Sequence, residues 1–350
     1  MPNRAKDELF QLVKTLEKAE KRNFKLFVRR NAASDDLKVI RLFDAMDKLE
    51  YYDEEAILAK AKGIRKQQLS NLKAHLYRQI LASLRILKDE HNVDILLHEQ
   101  MDHARILYNK GLYLQSLKVL SRIKETAKTY HQLTFWLQAL IFEKKIESLH
   151  ITRSFENRAE ELSREVEEID SKLVRVGRLS NLALQLYGWY IRMGHARDEK
   201  DVAAVKAFFA ANLPRELRDA DGFYEKLYLY QSYAWYGFIL QDLLLYYRYC
   251  QRWTDLFEKE PVMKRVESQQ YIKGMHNLLN AHFMLRNEVK FGEALHQFEN
   301  SHRSREANSS ENNRVQTFVY LYIAKINRHF LDGTFTQGLK LVPHIEEKLK

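Results

Sequence analysis

The chain has 350 residues, enough for two or three globular domains or one elongated repeat domain, and 45% hydrophobic against 30% charged residues excludes wholesale disorder. Only 11 glycines and 4 prolines leave too little punctuation for a β-sandwich or barrel, so long helices joined by short loops are expected. The net charge of +10 describes Lys and Arg faces without requiring nucleic acid, and the single Cys250 excludes an internal disulfide framework and fits a reducing compartment.

Residues 1–22 are charged throughout and lack the apolar centre of a secretory signal. No run of about 18 uncharged apolar residues follows anywhere, so a cytoplasmic protein without membrane insertion is expected. Residues 1–91 read as a helical module. Leu9, Leu12, Val13 and Leu16 form one stripe, Phe24, Phe27 and Val28 begin a second, and Leu37, Ile40, Leu42 and Phe43 a third behind Ser34 or Asp35 as N-cap. Asp53 precedes a further helix. A long one over 66–87 carries Leu69, Leu72, Leu76, Ile80 and Leu84 on one face.

The stretch 55–74 can be aligned as a helix-turn-helix, with Ala59 as the small seam residue, Gly63 in the turn, and Ile64, Leu69 and Leu72 locking the two helices. Between Glu55 and Asp89 lie eight bases and no acid. On that reading Arg65, Lys66 and Lys73 contact phosphates, and Gln67, Gln68 and Asn71 face base edges. The blander reading is a helical hairpin whose basic face is solvated or meets an acidic protein.

From residue 92 a different grammar takes over, in which an aromatic is followed after three residues by a small one, then Leu, then an apolar residue three further on. Tyr113, Ser116, Leu117 and Leu120 fit it. So do Phe291, Ala294, Leu295 and Phe298, and Phe335, Gly338, Leu339 and Val342. Looser copies fall at Phe155 to Leu162, Val202 to Lys206 and around Leu245, giving a period of about 44 residues. A unit of this kind cannot cover its own apolar flank, so it predicts neighbours like itself. The expected fold is all-α: an α-solenoid of about six helical hairpins over 92–350, behind the N-terminal helical module.

Gly111 with Tyr113, Leu117 and Leu120, and Gly333 with Phe335, Leu339 and Val342, each make a G-x-aromatic turn that opens a second helix. In this the chain resembles the tetratricopeptide-repeat superfamily, over about three quarters of its length. It departs in its longer period, in Ser116 and Gly338 where the family has Ala, and in the closing Pro missing from most units. The resemblance implies a scaffold or peptide-binding adaptor.

Residues 223–257 are the densest in aromatics. Two helices bury about half of such a set, which leaves Tyr228, Tyr233, Tyr236 and Tyr247 as candidates to hold a peptide or protein segment. Polar residues 301–314 without periodicity read as a long mobile loop. The last hairpin has no polar capping helix, so further sequence or a partner chain is expected to cover it.

Phosphate-cradling, nucleophile-elbow and metalloprotease motifs are all missing, and neither a cofactor nor catalysis is expected. His98, Asp102 and His103 do not share one face, and Glu143, Glu147 and His150 find no second Glu-x-x-His, so no metal site is assigned. The reading is therefore a non-catalytic intracellular adaptor that binds a protein or peptide. Its alternative is a nucleic-acid-binding regulator, in which the helix-turn-helix is coupled to a repeat sensor.

Overall fold

The computed structural model describes residues 7–30, 36–87, 92–150, 157–214, 222–303 and 311–349. All regular structure among them is helical, and the chain divides into two compact units, Met1–Glu90 and His91–Lys350.

The first unit holds α1 (Glu8–Thr15), α2 (Lys18–Arg30), α3 (Asp36–Asp47), α4 (Glu54–Lys60) and α5 (Lys66–Ile86). Its centre is α3, whose Val39, Leu42, Phe43 and Met46 are fully enclosed by Val13, Phe24, Ile57, Leu76 and Ile80 from the other four helices. The Phe24 and Phe43 rings lie 4.7 Å apart. Asp7 caps α1 by accepting the Phe10 N–H, and Asp53 caps α4 by accepting the Glu55 and Ala56 N–H groups. The candidate caps Ser34 and Asp35 lie outside the described residues.

The second unit runs through α6 (Val93–Asn109), α7 (Tyr113–Thr129), α8 (Leu133–His150), α9 (Arg158–Met193), α10 (Glu199–Asn212), α11 (Phe223–Ile239), α12 (Leu243–Lys259), α13 (Met263–Val266), α14 (Ser268–Met284), α15 (Glu288–Arg303), α16 (Glu311–Leu331), α17 (Phe335–Leu339) and α18 (Val342–Leu349). α6 to α9 pack in succession, α9 then packs chiefly on α11, and the pairs α11/α12, α12/α14 and α14/α16 carry the array on, so this unit is an α-solenoid.

Five of its turns are built alike. Gly111, His131, Gln241, Arg286 and Gly333 each take a left-handed backbone, and the next residue's N–H reaches back five positions, as from Leu112 to the Leu107 carbonyl and from Asn287 to that of His282. This double-bonded helix end satisfies the last carbonyls and reverses the chain.

Small residues set the approach of paired helices. The buried Ser116 hydroxyl donates to the Ala104 carbonyl on the facing helix, 2.8 Å away. At Gly237 a Cβ would stand 2.8 Å from the Tyr246 backbone nitrogen, so α11 and α12 meet at a distance only glycine permits.

The spacing is not uniform. α9 is a single helix of 36 residues, where an even period of about 44 would place a turn near its middle. It contains no proline, and Leu162, Ile169, Leu179, Leu182 and Leu186 keep it buried along most of its length. Phe155 lies outside the described residues; Val205 is buried in α10, and Leu245 is half-buried in α12. The expected loop over 301–314 is also shorter than its composition suggests. α15 extends to Arg303 and α16 starts at Glu311, leaving 304–310 outside the described residues.

Candidate functional site

α9, α11, α14 and α16 converge around the ammonium of Lys273. Its Nζ lies 5.0 Å from the ring centre of Tyr187 on α9 and 5.8 Å from that of Trp235 on α11, and those two rings are 4.9 Å apart. One turn along α14, His276 stacks on Tyr320 of α16 at 4.0 Å and 13°. The side-chain amide of Gln231 on α11 donates to that of Gln270 on α14, 2.8 Å away, and bridges the two helices beside the lysine.

The electrostatics of this face are one-sided. From Ser171 onward α9 has four bases and no acid, and α14 has no Asp or Glu at all. The one acid of α11, Glu225, is 1% exposed and paired with Arg175, and α16 has an acid only at Glu311, its first residue. Two cations of α16 are matched, Lys325 by Glu299 at 3.2 Å and Arg328 by Asp332 at 2.7 Å. Among the described residues no acid reaches Lys273, which rests on aromatic faces alone. Burial therefore pulls its pKa below the ordinary lysine value, and the same burial, aided by Lys273, holds His276 at about 4, neutral at physiological pH.

An apolar stripe runs along α9 through Tyr187. Leu184 and Ile191 are 67% and 63% exposed, and they flank Tyr187 at helical spacing on α9. Exposed leucine and isoleucine on either side of a ring that holds a charge make a surface suited to a chain segment of mixed character.

The four tyrosines singled out from sequence lie elsewhere, Tyr228, Tyr233 and Tyr236 on α11 and Tyr247 on α12, and are occupied by their neighbours. Tyr233 is stacked on Tyr249 at 4.2 Å and meets the edge of Phe209, while Tyr236 lies over Phe209 at 4.1 Å. Tyr228 stacks on Tyr224 at 6.4 Å, and Tyr247 contacts His282. All four are half-buried, and burial raises the phenol pKa of Tyr228, Tyr233 and Tyr236. Sequence reasoning passed over Tyr187, which lies outside the aromatic belt, and Lys273. The signal that could have found them is the missing acid: α14 reads SQQYIKGMHNLLNAHFM.

In the first unit, Arg65, Lys66, Gln67, Gln68 and Asn71 are exposed along the start of α5. The Gln68 side chain accepts the Arg65 N–H, closing that helix end, and Lys66 is 4.0 Å from Glu54. Lys73 is committed elsewhere. It pairs with Asp7, bonds the Tyr52 hydroxyl at 3.1 Å and lies over that ring. Gly63 takes the left-handed turn and Ile64 and Leu69 are buried, but Ala59 is exposed. In so short a helix the buried pair is Ile57 and Ala61, four residues apart, and Ala59 is turned well away from them.

Among the described residues no three His, Cys, Asp or Glu side chains gather closely enough to hold a metal ion. His98 packs on Phe135, Asp102 pairs with Arg105, and Glu143 is held by Lys124 and Arg158. Cys250 is fully buried, and burial raises its thiol pKa well above the ordinary value. Among the described residues no helix is long and apolar enough to cross a membrane.

No family model, no curated protein and no solved structure matches this chain.

Proposed function

We propose that the protein is a non-catalytic adaptor of tetratricopeptide-like type, which holds a segment of another protein against the face formed by α9, α11, α14 and α16. The observation that carries this is Lys273: a half-buried cation on two aromatic rings, unmatched by any acid among the described residues, one of those rings being Tyr187 with exposed Leu184 and Ile191 on either side of it along α9. An arrangement of that kind is costly for the free protein and is offset when a partner supplies the missing charge. A reducing, cytoplasmic setting suits the single buried thiol.

Site-specific photocrosslinking in cells tests the reading. A benzophenone side chain replacing Leu184 should capture a discrete partner, and the same group replacing Leu244 of α12, also 67% exposed, should not. Identical adducts from the two positions, or none from Leu184, would remove the proposal.

A second reading attaches to the first unit, where Arg65, Lys66, Gln67 and Asn71 stand exposed together at the start of α5. It makes α5 a nucleic-acid contact, and a salt titration separates it from the first.

A further inference from the structure

Resting on the adaptor reading, we infer that the bound segment carries an internal Asp or Glu between large aliphatic or aromatic residues. Its carboxylate docks on the Lys273 ammonium, and its apolar neighbours lie on Leu184 and Ile191.

Three observations select this chemistry. The aromatic seat holds one ammonium, its neighbour His276 is neutral at physiological pH, and a single ammonium matches a monoanion more closely than a phosphate dianion. The negative faces of Tyr187 and Trp235 hold the ammonium in place and leave its remaining donors for a small planar acceptor. Finally, the apolar stripe continues past Tyr187 in both directions along α9. Leu184 lies on one side of Tyr187 and Ile191 on the other, separated by about 10 Å along the helix axis, so the partner chain runs through the site rather than ending in it.

The experiment is selection of a displayed random dodecapeptide library on the full chain, followed by affinity measurements with synthetic peptides amidated at the C-terminus. The wild type should enrich an Asp or Glu with Leu, Ile, Phe or Met three or four positions away. Exchanging that acid for its amide should weaken binding roughly ten- to a hundredfold. Lys273→Met, which keeps the apolar stem over the rings, should lose the same factor and become indifferent to the acid-to-amide exchange, while Lys273→Arg should restore the preference. Circular dichroism melting of both variants confirms that they are folded.

An enriched consensus without an acid, or an acid preference that persists in Lys273→Met, overturns the carboxylate assignment and leaves the adaptor reading to the crosslinking result. Tight binding confined to peptides that end in a free carboxylate overturns the run-through geometry. No enrichment on wild type overturns this inference and leaves the adaptor reading to the crosslinking result.

Discussion

Lys124, 9% exposed, sits between Glu143 at 2.8 Å and Glu165 at 3.0 Å, joining α7, α8 and α9 through one buried cation. Burial alone would raise the Glu165 pKa. Hydrogen bonds from Lys128, Lys124 and the Trp136 indole outweigh it and hold the carboxyl at about 2, against an ordinary 4.5. A carboxyl depressed in the folded state adds stability that is complete above its unfolded pKa and lost as pH falls toward the folded one. The contribution of Glu165 should therefore disappear between pH about 4.5 and about 2. Glu165→Gln should destabilise the fold at pH 7, by about 1–2 kcal/mol once solvent screening is allowed for, and flatten the loss on acidification; melts at pH 7, 4 and 3 check both. An unchanged acid slope would mean that the network is not held as described. None of this was legible in the sequence, because Lys124, Glu143 and Glu165 are spread over some forty positions of helix surface where Lys and Glu are usually solvated.

Helices were legible wherever one face is buried. The stripe of Leu69, Leu76 and Ile80 defines α5, observed over Lys66–Ile86 against an expected 66–87. Turns were legible where glycine marked them, at Gly63, Gly111 and Gly333. The equivalent turns at His131, Gln241 and Arg286 have the same reversal with side chains that strain a left-handed backbone. Counting from these turns also shifts one repeat match: Tyr113 and Phe335 stand two residues past the left-handed position, whereas Phe291 stands five past Arg286, about one helical turn later.

Two opposite effects follow for the α11/α12 hairpin. Gln241→Gly should stabilise it by about 0.5–1 kcal/mol by relieving the left-handed strain. Gly237→Ala should destabilise it by about 1–3 kcal/mol, because the added methyl meets the Tyr246 backbone. Chemical denaturation of the two variants reads both signs, and a stabilising Gly237→Ala would show that the two helices do not meet so closely.

At the scale of the second unit, the solenoid winds back on itself. His131, in the turn between α7 and α8, lies 2.5 Å from Glu260 at the end of α12 and stacks on Phe223 at the start of α11. Charge is patterned at this scale too, with the bases of 56–88 in the first unit and the acid-free helices around Lys273 in the second. If the first unit reads nucleic acid, binding to random duplex DNA should fall steeply between about 50 and 200 mM salt, and Arg65→Ala with Lys66→Ala should abolish most of it. Binding lost with Lys73→Ala alone would trace to the fold, since Lys73 ties Asp7 and Tyr52 together. No binding at low salt removes that reading.

The amino-acid sequence by itself determined that this is an all-helical chain with a recurring two-helix block, because helical periodicity and turn glycines act over a few neighbouring positions and leave a local trace. Which side chains remain uncovered was decided by tertiary structure alone. Tyr187, Trp235 and Lys273 come from three helices spread over 86 residues, and only helix packing takes Tyr233 and Tyr236 into contact with Phe209 while leaving the lysine without an acid among the described residues. Pairwise contact across such distances depends on how each block stacks on the next, and no pattern in the residues of any single helix encodes that.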